Sequence, residues 1–471
     1  MSNTSNKSSR FDQLPELVKL AWPILISQLA ISGMGVVDTI MAGRVSSVDL
    51  AGVAVAFSLW LPVLMFMVGL FSATSSLVAH AWGASDISQA KSHIHQSLWL
   101  GLILGLCASA LISQATLLLE FMNIDPVVHP VVIDYLKAMI FGLPAAAIYQ
   151  VLRASSEGTG HSKPVMQINL LAFFANIPLN IVFIHGYFGL PAMGGAGCGW
   201  ATASVMWLNA LALAAYFLKA HEFRELKLFE NGFSWLERQG SWQILALGLP
   251  IAAAVFAEVI IFSIIALLIG SLGATVIAGH QISMNVSALT FMLPLSVSIA
   301  ITVQVGQRLG AGNKKAAQRT WRQALVLASS IAISNAAIIY FFAWPITGVY
   351  SEDIEIRELA TGLLLFAAAY QVSDALQVAA AGALRGYKDT QVTMYITLFA
   401  YWGIGLPLGY TLGLTDVIMP ASGPKGFWIS LLISLSIAAA LLLWRLEHIS
   451  RQNMAKKPTI GDQYNSETKL K

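Results

Sequence analysis

Twelve long apolar runs alternate with short polar stretches along the chain, near residues 20–41, 53–79, 95–118, 132–152, 164–184, 198–218, 243–269, 280–305, 322–345, 359–382, 391–413 and 426–446. A helix needs roughly 20 apolar residues to cross the hydrocarbon core of a bilayer, and each run is close to or above that length. Hydrophobic residues make up 56% of the 471 residues and charged residues 11%, with a mean hydropathy of +0.69. Such values lie well outside the range of a soluble domain. The pattern predicts an all-α integral membrane protein with twelve transmembrane helices.

The runs repeat. Residues 20–90 overlay residues 247–317 at a constant offset of 227 without a gap. Leu20 meets Leu247, Pro23 meets Pro250, Ile24 meets Ile251, Gly43 meets Gly270, Ala51-Gly52 meets Ala278-Gly279, and Gly83-Ala84 meets Gly310-Ala311. Proline and glycine set backbone geometry, so the duplicated property is a fold rather than a composition. Six runs fall in each half, which divides the chain into an N-lobe, 1–235, and a C-lobe, 236–471. With an even number of spans, both lobes enter the bilayer from the same side. The expectation is two pseudo-symmetric six-helix lobes, parallel repeats about an axis along the membrane normal, in the plan of a rocking transporter.

Charge placement supports this layout independently of hydropathy. With a cytoplasmic N-terminus, 23 of the 27 Lys and Arg fall on the cytoplasmic side, the exceptions being Arg44, Lys137, Arg357 and Lys425. Asp49, Glu120, Asp125, Asp134, Glu352, Asp353, Glu355, Glu358 and Asp416 fall outside. This asymmetry places both termini in the cytoplasm. The net charge of +3 gives no indication of a nucleic-acid partner. The opening MSNTSNKSSRFDQLPELVKL lacks the order of a cleaved signal peptide, so the first helix is expected to be retained. Cys107 and Cys198 are too few for a disulfide framework, and no Cys/His spacing reads as a metal site. The absence of a GxxxxGK[ST] loop argues against a built-in ATPase. No cofactor, ATPase subunit or soluble partner is expected, and the chain reads as a monomer driven by an ion gradient.

The polar stretch 219–241, KAHEFRELKLFENGFSWLERQGS, reads as a solvated amphipathic connector on the cytoplasmic membrane face. The tail beyond Arg451, with Lys456, Lys457, Lys469 and Lys471, reads as a polar extension drawn to anionic lipid. Pro23 and Pro250 predict either kinks or first-turn positions in the opening helices of the two halves. Asn176, Pro178 and Asn180 in the fifth run, and Gly405, Pro407 and Gly409 in the eleventh, predict interruptions next to a working cavity.

Acids inside apolar runs are the sharpest candidates for chemistry, because a charged carboxylate at mid-bilayer costs several kcal/mol unless it is paired, solvated or protonated. Glu258 and Asp374 lie in the second half. Two nearby carboxylates cannot both ionise easily, so one holds a proton or a cation sits between them, the minimal coupling-ion site. The alternative is a protonated carboxyl bonding between helices. Tyr370 lies four residues before Asp374 and shares its helix face. Asp38, in the first half, is either a proton-carrying or substrate-binding acid or an interfacial partner of Arg44. Asn176 and Asn180, four apart, form a polar face that either joins Asp38 or serves as interhelical glue. Gln281 opens the eighth run with an amide. Trp60, Phe66, Phe291, Phe399, Tyr401 and Trp402 supply aromatics for a cavity suited to flat lipophilic cations, although most such rings face lipid or helix neighbours. His80, His93, His95, His161 and His280 read as interfacial.

The segments PILISQLAISGMGVVDTIMAG, GGAGCGWATA, the FAEVIIF run and AAYQVSDALQVAAAGALRGYKD closely resemble the multidrug and toxic compound extrusion family, in its NorM-type bacterial branch. The resemblance runs from about Leu14 to Arg445. It implies an efflux antiporter of the bacterial inner membrane that exports organic cations in exchange for Na+ or H+. It further implies a second-lobe cation site at Glu258 and Asp374 beside Tyr370, a site that holds Na+ if the coupling is to sodium. Asp38 would be a first-lobe proton-coupling acid with Asn176 and Asn180, and Gln281, Asp38 and Asp374 would contact drug. A lipid or lipid-linked sugar flippase is the alternative, but it calls for cations deep in an apolar run, and the sequence places none there. A membrane enzyme would need a catalytic cluster that the loops lack. No filter-like segment marks a channel.

Overall fold

The computed structural model describes residues 12–121, 125–226, 228, 234–417 and 420–455. The tail lysines from Lys456 onward lie outside the described residues. The chain is helical almost throughout: α1 (Leu14–Val45), α2 (Ser47–Gly83), α3 (Ile87–Phe121), α4 (His129–Gly158), α5 (Ser162–His185), α6 (Ala196–Lys219), α7 (Arg238–Gly270), α8 (Ala274–Gly310), α9 (Lys314–Tyr350), α10 (Ile354–Gly386), α11 (Thr390–Leu398), α12 (Leu406–Leu414) and α13 (Pro424–Ala455). Among the described residues, twelve stretches are long and apolar enough to cross a membrane, with α11 and α12 forming one of them, Thr390–Leu414. This is a multi-pass membrane protein.

The prolines do not all act as the sequence predicts. Pro23 and Pro250 lie well inside α1 and α7, past any first turn, and neither helix breaks there. The fifth run is also unbroken, since α5 continues through Pro178. Among the described residues, only the eleventh run is irregular. There a π-helical turn, Phe399–Gly405, joins α11 to α12, and the Leu406 amide bonds the Tyr401 carbonyl. Pro407 has no N–H to offer the preceding turn, so a widened turn ahead of it keeps the backbone paired in a setting without water.

The duplication is visible in backbone detail beyond the aligned residues. After α2, the amides of Ala84, Ser85 and Asp86 bond His80, Trp82 and Ala81; after α8, those of Ala311, Gly312 and Asn313 bond Gln307, Leu309 and Arg308, the same turn 227 residues on. A second turn pair follows α4 and α10, where Gly160 and Lys388 both take positive φ, 88° and 62°. Small residues let these helices approach closely. Gly158 packs on the Ser75 carbonyl and Val78, and Gly386 packs on the Thr302 carbonyl and Val305.

By contacts the chain forms two compact units. Unit 1 contains α1 up to Trp22, Ser263–Asp389 and the chain from Tyr395; unit 2 contains Pro23–Phe262 with Thr390–Met394. Helices α1 and α7 therefore each contribute to both.

Candidate functional site

Asp38 sits on α1 within unit 2 and is 6% exposed. Its carboxylate faces α5 and α6. Asn180 Nδ2 donates to Oδ1 at 2.7 Å and Asn176 Nδ2 to the same oxygen at 3.2 Å. Thr202 Oγ1 donates to Oδ2 at 2.6 Å, and Cys198 Sγ reaches the Asp38 carbonyl at 3.6 Å. Helical spacing makes this possible: Asn176 and Asn180 lie one turn apart on α5, as do Cys198 and Thr202 on α6. Asn180 Nδ2 also bonds Asn176 Oδ1 at 3.1 Å. The Asn180 Oδ1 is buried with no hydrogen-bond partner among the described residues.

This arrangement accommodates both forms of the acid. Three neutral donors stabilise the ionised carboxylate without adding charge. When the carboxyl is protonated, the Thr202 hydroxyl can turn from donor to acceptor, and a flip of the Asn180 amide would bring its Oδ1 round as a second acceptor. The expectation that Asp38 pairs with Arg44 at the interface does not hold, because its oxygens are turned to α5 and α6. The joining of Asp38 with Asn176 and Asn180 is as the sequence predicts. Thr202 and Cys198 were not legible as members, since a hydroxyl and a thiol in an apolar helix are ordinary there.

The second-half candidates lie in unit 1, apart from Glu258. Asp374 and Tyr370 are each 8% exposed and share one face of α10 with Gln371 and Gln377. Tyr370 stacks on Trp428 at 5.9 Å, and Trp428 Nε1 donates to His280 Nδ1 at 3.3 Å. Gln371 Nε2 donates to Thr290 Oγ1 at 2.9 Å, and the Tyr401 hydroxyl donates to Gln377 Oε1 at 3.1 Å. The α10 face carrying Asp374 is thus polar over two turns. Gln281 is exposed on α8 and bonds Asn285 one turn on, at 3.3 Å. Glu258 is half-buried on the part of α7 that belongs to unit 2.

His93, His95 and His280 are buried within the protein. Arg153 and Glu157, on α4, form a buried ion pair at 2.9 Å with side chains 7% and 6% exposed, so a cation and a fourth acid do sit inside the protein. They escaped notice because they fall at the C-terminal end of the fourth run, where charge is common. One turn before Arg153, the Tyr149 hydroxyl donates to Asn169 Oδ1 at 2.8 Å, which extends this polar stripe of α4.

The sequence profile of the MatE family matches residues 23–182 and again 250–411, two copies that start at the paired prolines. The chain belongs to the MatE family. It is 45% identical to the probable multidrug resistance protein NorM of Shewanella oneidensis, over 96% of this chain and 98% of that one. It is also 45% identical to the multidrug resistance protein PmpM of Pseudomonas aeruginosa, over 93% and 92%. Among solved structures, this MatE-family chain resembles the eukaryotic MATE transporter AtDTX14, with a TM-score of 0.85 and 20% identity over 94% and 98% of the two chains. An outward-facing multidrug resistance MATE family transporter matches with a TM-score of 0.84 and 21% identity over 93% and 96%. At that identity the likeness speaks for the fold alone.

Proposed function

We propose that this MatE-family chain is a secondary multidrug efflux transporter of the bacterial inner membrane, with both termini cytoplasmic. It exports lipophilic organic cations by alternating access, in exchange for a coupling ion that binds as a proton at Asp38. The observation that carries the reading is the shell of Asp38, made of neutral donors with a spare acceptor beside it. A sodium ion would seek several oxygens, whereas two of the three groups on this carboxylate present amide N–H. The names of the 45% identical relatives, both multidrug resistance proteins, support the substrate class.

Coupling follows from linkage. A carboxylate buried without a cation costs roughly 2.5–3.5 kcal/mol at a helix centre by insertion scales, and protonation removes that cost. The conformation that buries Asp38 is therefore favoured once the proton is on. A cationic drug competes by offering charge of the same sign to the acids, Asp374 among them, so ion and drug bias opposite states. The flippase reading loses support from the same inventory, since the buried Arg153 is already neutralised by Glu157.

The test is transport of ethidium in proteoliposomes with imposed H+ and Na+ gradients varied separately. A pH gradient alone should drive transport, and Asp38→Asn should abolish it while leaving membrane yield intact. Transport driven only by Na+ and indifferent to Asp38→Asn would overturn the proton assignment.

A further inference from the structure

Gln96 on α3 and Gln323 on α9 stand 227 residues apart, the offset of the repeat, and they make the same contact. Gln323 Oε1 accepts the backbone N–H of Gln13, the residue just ahead of α1, at 3.0 Å. Gln96 Oε1 accepts the backbone N–H of Glu237, the residue just ahead of α7, at 2.8 Å. Each amide nitrogen then holds the chain a step further back: Gln323 Nε2 donates to Asp12 Oδ1 at 3.2 Å, and Gln96 Nε2 to the Trp235 carbonyl at 2.8 Å. Both glutamines are buried.

The start of a helix leaves backbone N–H groups without partners, and a neighbouring Ser, Thr, Asp or Asn usually supplies an acceptor. Here the acceptor comes from 310 residues away at α1 and 141 residues away at α7. Further contacts join in. At α1, Glu16 pairs with Arg308 at 2.8 Å. At α7, Ser241 Oγ donates to Gln96 Oε1 at 3.2 Å, Trp99 Nε1 donates to the Ser234 carbonyl at 3.0 Å, and Trp99 stacks on Trp235 at 6.0 Å. A side chain at position 240 would collide with Gln96, since a Cβ there would sit 2.8 Å from its Cγ. The connector residues just ahead of α7 are thus clasped by α3 while residues 235–239 stay exposed.

Each of the two clasped helices also carries a membrane-embedded acid: α1 holds Asp38 and α7 holds Glu258. The clasp on α1 lies in unit 1 while Asp38 lies in unit 2. We propose that Gln96 and Gln323 are paired positioning residues of the transport cycle, latches that stay closed throughout and fix the cytoplasmic ends of the two acid-bearing helices. Conformational change is then taken up along α1 and α7 themselves, and an acid can change its surroundings without its helix leaving its anchor. This rests on the efflux reading above.

Two measurements test it. Amide hydrogen exchange, which needs no transport, should speed up about tenfold at Gln13 and the first turn of α1 in Gln323→Leu only, and at Glu237 and the first turn of α7 in Gln96→Leu only. Unchanged exchange in either variant would overturn the latch. For the cycle, cysteines replacing Gln13 and Gln323, or Glu237 and Gln96, in a Cys107→Ser background that keeps the buried Cys198 are joined by a short thiol-specific linker. The joined protein should transport ethidium at least as fast as the unjoined one. Loss of transport on joining, restored by cleaving a reducible linker, would mean that the latch opens and would overturn the proposal. Gln323→Leu should lower turnover with KM for ethidium unchanged, whereas a purely structural role would lower yield and leave turnover per folded molecule intact. Failure of the efflux reading is distinct: the parent would then transport nothing while the exchange pattern held.

Discussion

Asn180 donates to Asp38 Oδ1 across 2.7 Å while its own carboxamide oxygen stays buried and unpartnered. A flip of this amide would offer the orphaned acceptor to the acid's proton. Hydrogen bonds to charged groups are worth roughly 1.5–3 kcal/mol, somewhat less between membrane helices. Asn180→Leu should therefore reduce proton-driven ethidium transport by about tenfold or more. The Thr202 pair sharpens the test, because the hydroxyl is the group that must reverse. Thr202→Ser should keep most activity and Thr202→Val should lose it, as measured by initial rates under a fixed pH gradient.

The Arg153–Glu157 pair should behave as a buried ion pair does. Removing one partner strands a charge and costs about 3–5 kcal/mol, whereas replacing both with apolar groups of similar volume is often close to neutral. Glu157→Leu alone is expected to lower the melting midpoint in detergent strongly. Arg153→Met/Glu157→Leu should recover most of it. Equal losses in the single and double variants would show that the pair does more than neutralise itself.

Gly248 on α7 meets the chain of α2 with no room to spare: a Cβ there would lie 2.5 Å from the Leu70 carbonyl oxygen. Gly69 makes the reciprocal approach, where an added Cβ would lie 2.7 Å from the Ala252 Cα. Both obstacles are backbone, so neither can rotate away. Gly248→Val should cost several kcal/mol by overpacking and appear as lost membrane yield. Gly270→Ala, a control at a site with open space around it, should fold normally.

Lys388 occupies the left-handed turn position that Gly160 fills in the other half, with φ of 62° against 88°. Burial also holds its amine below the ordinary lysine range. A base whose folded pKa is lowered weakens the fold while it must stay charged, and that penalty fades as pH rises through the folded value. Lys388→Gly should stabilise by about 1 kcal/mol from backbone strain alone. The gain should be largest near neutral pH and shrink toward pH 10, as read from melting midpoints across that range.

Much of this protein was legible in the chain. The bilayer admits few ways of satisfying a backbone, so twelve apolar runs of spanning length meant twelve helices. A duplication carried by proline and glycine meant a duplicated fold, and the structure repeats even the turn hydrogen bonds at His80 and Gln307. Asp38, Asn176 and Asn180 could be gathered because an acid in an apolar helix is costly and two amides one turn apart share a face. Contacts between helices were another matter. Thr202 reaching Asp38, Arg153 buried against Glu157, and Gln323 holding the amide of Gln13 depend on which faces meet, and hydropathy carries no record of that. Pro23 and Pro178 show the same limit: proline removes one bond, but whether a helix breaks there depends on packing around it. The sequence by itself determined the spans, their number and the cost of each embedded charge, because those follow from transfer between water and hydrocarbon. Only the tertiary structure decided which polar groups meet, because in a medium without water each buried donor must find its acceptor on whatever helix lies beside it.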